Sequence, residues 1–254
     1  MIALIRAKIF SAIRSKSFRF FAVIILLWVG FCTLTVFSGS FEVVNTGYLP
    51  YYILFGYLTI LPLAAASWYG LFPSSGFDKE VPFQVNDWKT SCTGIISALI
   101  ANAFLNVLIV AFCLLLMALP MANVEKSSPS DLAKLFLAFS LISFARTAFT
   151  CFFTEATHSR LGGALFGFGA CTGLFEVFLL SVEVDLCCLL GISQSSLPIV
   201  SHMTYFIWEG MQATDSRELV MNYTNFHVIV PLLVVVTIFF SGVTVAVRHR
   251  RDVA

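Results

Sequence analysis

The sequence predicts an all-α membrane protein: six transmembrane helices, an N-terminal amphipathic interfacial helix and a partly helical outer loop between helices five and six. Three observations predict it. Of the 254 residues, 59% are hydrophobic and only 11% are charged, where an ordinary soluble domain is roughly 25% charged. Mean hydropathy is +0.91, which leaves more apolar side chain than a globule of this size can hide from water. The apolar residues also fall into charge-free runs, and about 20 such residues cross a hydrocarbon core of roughly 30 Å. A net charge of +1 provides no basic field to collect phosphates, so no nucleic-acid partner is expected.

The elements follow in order along one transmembrane domain, 1–254. Residues 1–18 read as the interfacial helix: Ile2, Ile5, Ile9, Ala12 and Ile13 share a face at helical spacing, with Arg6, Lys8 and Arg14 to either side. Ser15 and Ser17 mark the turn into the first span, 20–39. The second, 51–72, is bracketed by Pro50 and Pro73, and Pro62 within it removes a backbone hydrogen bond and kinks the helix. The third, 93–118, stops at Leu119-Pro120. The fourth, 133–153, carries Lys134 at one end and Arg146 well inside. The fifth, 161–182, runs into Glu183 and Asp185, which sit at the outer interface, and the sixth, 227–247, is a dense run of Val, Ile, Leu and Phe. No removable signal peptide is expected, because the first apolar run extends too far and lacks a small-residue cleavage site.

Orientation follows from the basic residues, which stay on the cytoplasmic side. Twelve fall on the proposed inner side: five before the first span, Lys79 and Lys89 in the 73–92 loop, Arg160 with nearby Arg146, and Arg248, Arg250 and Arg251 in the tail. Only Lys126, Lys134 and Arg217 fall outside. Both termini are therefore expected in the cytoplasm. The outer loops are then 40–50, 119–132 and 183–226, the last apolar enough at Leu189, Leu190, Ile192, Ile199 and Phe206-Ile207-Trp208 to form short surface helices.

No catalytic, metal or cofactor site is expected. There is no phosphate loop, no H-E-x-x-H and no G-x-S-x-G, and the four histidines (158, 202, 227, 249) are scattered. Cys32, Cys113, Cys151 and Cys171 lie within spans as small apolar residues, and Cys187-Cys188 has no ligand spacing. Asn222-Tyr223-Thr224 matches a glycosylation sequon on the outer side. Within span five, the pairs Gly163/Gly167 and Gly169/Gly173 let helix backbones approach closely, within one subunit or along a dimer seam. Glu176 lies roughly 22 Å from the inner end of that span at 1.5 Å per residue. Ionisable groups at such depth face a bundle interior or water, which makes Glu176 a candidate pathway or gate residue alongside Pro62. Arg146 needs a partner within the bundle for the same reason.

Three stretches carry a resemblance. The opening ALIRAKIFSAIRSKSFRFFAVIILL joins a basic amphipathic helix directly to the first span; the close FFSGVTVAVRHRRDVA ends a last span at a basic cluster followed by an acid; and SGFDKEVPFQVNDWKTS stands between spans two and three. In this layout the chain resembles an ABC-2 type permease, the membrane subunit of a bacterial ABC exporter, and is similar to the small permeases of antimicrobial-peptide export and immunity. The resemblance implies alternating access driven by a separate cytosolic ABC ATPase subunit, a second permease copy or paralogue, and a peptide, antibiotic or other amphiphile as substrate. It places the coupling to the ATPase on Asp78, Lys79, Glu80, Asp87, Trp88 and Lys89, with Trp88 as an apolar wedge between charges. The alternatives are a non-transporting membrane immunity or assembly factor and a secondary carrier using an intramembrane carboxylate.

Overall fold

The computed structural model describes residues 5–7, 9–10, 14, 16–37, 69, 87–118, 129–171, 181–182, 184–185, 187–191 and 226–253. The helices are α1 (Lys16–Phe37), α2 (Asp87–Ala118), α3 (Pro129–Ala156), α4 (Arg160–Cys171) and α5 (Phe226–Val253). Among the described residues three stretches are long and apolar enough to cross a bilayer: Cys92–Leu115 of 24 residues, and Phe136–Ala156 and Val230–Arg250 of 21 residues each. At 1.5 Å per residue these are about 36 and 32 Å long, and the chain is a helical membrane protein.

The helices outrun the expected spans. α2 begins at Asp87 rather than near 93, so Asp87, Trp88 and Lys89 lie in its first turn; an acid there suits the positive end of the helix dipole. α3 opens on Pro129, whose fixed φ and missing N–H suit a first helical position, and it continues past 153 to Ala156. α5 runs through the basic cluster to Val253. α1 already begins at Lys16, so Ser17 is helical and not part of a turn. Just before it, Arg19 Nη2 donates to the Arg14 carbonyl at 2.9 Å, satisfying an acceptor near the junction, and the Arg14 guanidinium lies 4.2 Å from the Phe10 ring centroid. Ile5 and Ile9 are half-buried while Arg6, Phe10 and Arg14 are exposed. Of span two only Tyr69 is among the described residues, and of span five the part from Arg160 to Cys171 and residues 181–182.

Packing is inverted relative to a water-soluble domain. On α2 many of the buried positions hold small or polar residues, among them Gly94, Ser97, Ala98, Asn102 and Asn106, beside Ile95, Leu105 and Ile109. The exposed ones hold Ile100, Phe104, Val107, Leu108, Leu114 and Leu115. On α5, Val234, Val235, Ile238 and Phe239 are exposed while Thr244 and Arg248 are buried. Lipid tails are as apolar as leucine, so large apolar residues gain nothing by facing inward, and close contact between small residues and interhelical hydrogen bonds hold such bundles together. Hydroxyls inside satisfy themselves on their own helix: Ser97 donates to the Thr93 carbonyl at 2.6 Å, Thr150 to Arg146 at 2.8 Å and Thr154 to Thr150 at 2.7 Å.

α3 is the centre of the bundle, packed against α2, α4 and α5. Its Phe149 and Phe152 meet Phe240 of α5 at centroid distances of 5.1 and 5.6 Å, and Phe153 stacks on Phe166 of α4 at 4.4 Å. Asn102 and Asn106 of α2 both donate to Ser143 Oγ, at 3.1 and 2.7 Å, and Ser143 donates in turn to the Ser140 carbonyl at 2.8 Å. Ser143→Ala removes one hydrogen-bond partner from each amide, and unfolding in bicelles is expected to register a loss of about 1–2 kcal/mol; Ser143→Thr, which keeps the hydroxyl, should lose less.

These contacts set the helix directions. Phe149 and Glu155 of α3 meet Phe240 and Arg248 of α5, so the two run parallel. Asn102 meets Ser143 while Ile95 and Ala98 meet Cys151, so α2 runs antiparallel to both. α4 turns back from the end of α3 through residues 157–159, where His158 takes a left-handed φ of 52°. Ser159 caps α4, its Oγ accepting from Gly162 N–H at 3.2 Å.

Candidate functional site

The charged residues buried in the bundle decide where chemistry or movement is possible. Glu155 occupies the last turn of α3 and is only 2% exposed. The Tyr69 hydroxyl, itself 1% exposed, donates to Glu155 Oε1 at 2.7 Å. Arg248, on the last turns of α5 and 4% exposed, brings Nη1 to 3.9 Å from the same oxygen. Ile95, Ala98, Cys151 and Val245 pack around Tyr69 as an apolar shell. A carboxylate is tolerated here because an opposite charge and a hydroxyl donor replace the water it gave up.

Gly94 of α2 completes the arrangement. A Cβ at this position would lie 3.0 Å from Arg248 Nη1 and 3.6 Å from Tyr69 Cε2. The bare backbone is what lets the guanidinium lie against the start of α2.

A second polar layer lies deeper. Ser143 is twelve positions before Glu155 on α3, about 18 Å along the axis, and there it gathers Asn102 and Asn106. Arg146 stands at the midpoint of the Phe136–Ala156 stretch and is 8% exposed. Its position shows that it does not flank a span as a topogenic charge. Arg248 is likewise buried and ion-paired rather than facing headgroups.

The residues singled out from sequence fall into three groups. Asp78, Lys79, Glu80, Pro62, Glu176 and Gly173 lie outside the described residues. Asp87, Trp88 and Lys89 open α2, less than three turns before Gly94. Gly163 and Gly167 are buried and Gly169 half-buried on α4, and Gly163 is pressed against Thr154 of α3: a Cβ there would collide with Thr154 Oγ1 and come within 2.9 Å of its Cα. This is close packing within one subunit.

Glu155 and Tyr69 escaped the sequence reading, and Arg248 was counted only as a tail charge. Ending span four at 153 left Glu155 in a loop. The signal was the polar series Ser143, Arg146/Thr147, Thr150 and Thr154 at helical spacing, which continues the inward face of α3 into the last turn. Among the described residues no group of three or more His, Cys, Asp or Glu is placed to hold a metal ion. No protein-family model, no curated protein and no solved structure matches the chain.

Proposed function

We propose that this chain is the permease subunit of an ATP-driven exporter of the ABC-2 type, crossing a bacterial cytoplasmic membrane six times with both termini cytoplasmic. A separate cytosolic ATPase hydrolyses ATP, a second permease copy or paralogue completes the pathway, and the cargo is a peptide, antibiotic or other amphiphile. The observation that carries this reading is the direction of the helices. The start of α2, the ends of α3 and α5 and the side chain of Tyr69 gather at one end of the bundle, the end that also holds exposed Arg160 and Arg250. The chain between Ala156 and Phe226 must then return to the opposite end, which is the single crossing assigned to span five.

In this arrangement Asp87, Trp88 and Lys89, the described part of the 78–89 segment, open α2 on the same side as Arg250. A docked ATPase pushing on Asp87, Trp88 and Lys89 would act on a helix whose next turns touch the buried ion pair. Co-purification of a cytosolic ATPase bearing a phosphate loop tests the reading, with hydrolysis in liposomes depending on this chain. Trp88→Ala and Asp87→Arg are expected to weaken that association by roughly ten-fold or more, as loss of an aromatic interface anchor does, while membrane insertion is unchanged. Failure of any ATPase to associate would sink the proposal. The buried carboxylate of Glu155 favours a second reading, a secondary carrier; it requires transport driven by a pH gradient without ATP and abolished by Glu155→Gln.

A further inference from the structure

We infer that Tyr69, Glu155 and Arg248 form a two-state clasp, which joins Tyr69 to the ends of α3 and α5 in this structure and is released as a unit by movement of α2. The inference rests on the helix contacts and not on the export reading; only the side from which the clasp opens depends on the proposed orientation.

The members come from separate parts of the chain. Tyr69 precedes α2, Glu155 ends α3 and Arg248 ends α5, and their meeting ties together three stretches that no local hydrogen bond joins. An ion pair in apolar surroundings does not separate gradually. Parting the charges while both stay dry forfeits their mutual attraction with no water to replace it, so half-open arrangements are disfavoured. Two remain: closed with Glu155 held by Tyr69 and Arg248, or open with water around both charges.

α2 is the element positioned to choose between them. Its backbone at Gly94 lies beside two of the three members: a Cβ there would stand 3.0 Å from Arg248 Nη1 and 3.6 Å from Tyr69 Cε2. Movement of α2 toward them is therefore met by the guanidinium and the phenol together. The same helix begins at Asp87, about 10 Å further along the axis, so a load on its first turn reaches the clasp through continuous helix. Packed interfaces respond to such loads by switching and not by stretching.

The chain carries its own reporters. Cys151 lies one turn before Glu155, fully buried in the shell around Tyr69, and Cys113 is 1% exposed near the far end of α2. With every other cysteine replaced by serine or alanine, the full chain in native membrane vesicles is treated with a membrane-impermeant maleimide from each side in turn. Clasp opening is expected to label Cys151 slowly but to completion, from one side only, while Cys113 stays unlabelled. Glu155→Gln and Arg248→Gln should each raise the Cys151 rate by roughly ten-fold or more, and Gly94→Ala, which crowds the guanidinium without removing a charge, by less. The swap Glu155→Arg with Arg248→Glu should return the rate toward that of the parent. Labelling of Cys151 and Cys113 at equal rates reports global unfolding and overturns the clasp. So does a Cys151 that never labels in the parent, which makes the cluster a static staple, and so does a rate indifferent to Glu155→Gln. Tyr69→Phe, the mildest change, carries the test should the charge variants fail to accumulate: it too must accelerate Cys151 and leave Cys113 protected. Absence of a partner ATPase changes none of these outcomes, so the export reading fails separately.

Discussion

Arg248→Ala and Glu155→Ala are each expected to cost about 3–5 kcal/mol of folding stability, the usual consequence of leaving one member of a buried pair without the other. Both side chains are nearly inaccessible, with Nη1 and Oε1 3.9 Å apart, and their partner Tyr69 belongs to an apolar cluster with Ile95, Ala98, Cys151 and Val245. The double substitution Glu155→Met with Arg248→Met is expected to behave differently. Two flexible apolar side chains of similar volume remove both desolvation costs, so the doubly substituted chain should lie within about 1 kcal/mol of the parent or above it. Reversible unfolding of the two single methionine variants and the double variant in mixed micelles or bicelles measures the cycle, and a double loss equal to the sum of the single losses would mean the pair is not energetically coupled. Tyr69→Phe deletes one hydrogen bond to a charged acceptor, 2.7 Å long, and should cost about 1.5–3 kcal/mol. The double-methionine chain also separates stability from movement: it folds, yet without charges to be drawn into water its Cys151 should label more slowly than the parent's.

Gly163→Ala is the second large effect. The added methyl has to occupy space already taken by Thr154, whose Cα stands only 2.9 Å from the Cβ position. Backbone cannot step aside as a flexible side chain does, so α4 must move away from α3 and unstack Phe153 from Phe166, now 4.4 Å apart. Overpacking of this kind costs about 1–3 kcal/mol and occasionally more, and Gly163→Leu should prevent accumulation of the folded chain. Thr154→Ala added to Gly163→Ala should restore only part of the loss, because it removes Oγ1 but leaves the Cα in place. Gly242→Ala is the control: its methyl would meet nothing within 4 Å, and alanine's better helix propensity makes it neutral or stabilising by up to about 1 kcal/mol. Thermal unfolding followed by size-exclusion chromatography distinguishes the two glycines.

Much of the helical layout was legible because it depends on local composition. The apolar runs at 93–118, 133–153 and 227–247 correspond to α2, α3 and α5, each extended by a few residues at one or both ends. The extensions follow from a difference between the two rules. Hydropathy marks where a helix meets lipid, whereas backbone hydrogen bonding continues until a turn such as residues 157–159 ends it. That difference is why Glu155 went unnoticed: it lies beyond the 133–153 span expected from sequence but still inside the helix. The pairing of Gly163 was half legible, since its spacing signalled close approach but could not say to what.

Sequence alone determined that the chain is a helical membrane protein and where the apolar stretches of α2, α3 and α5 lie, because the transfer of side chains into lipid is a sum over neighbours in sequence. Only tertiary structure decided that α3 is central, that α2 runs against α3 and α5, and that an arginine counted as a topological flank is held by a glutamate 93 positions away in the chain. Charges interact through space, and in an apolar medium the partner that satisfies one is set by which helix ends the packing brings together.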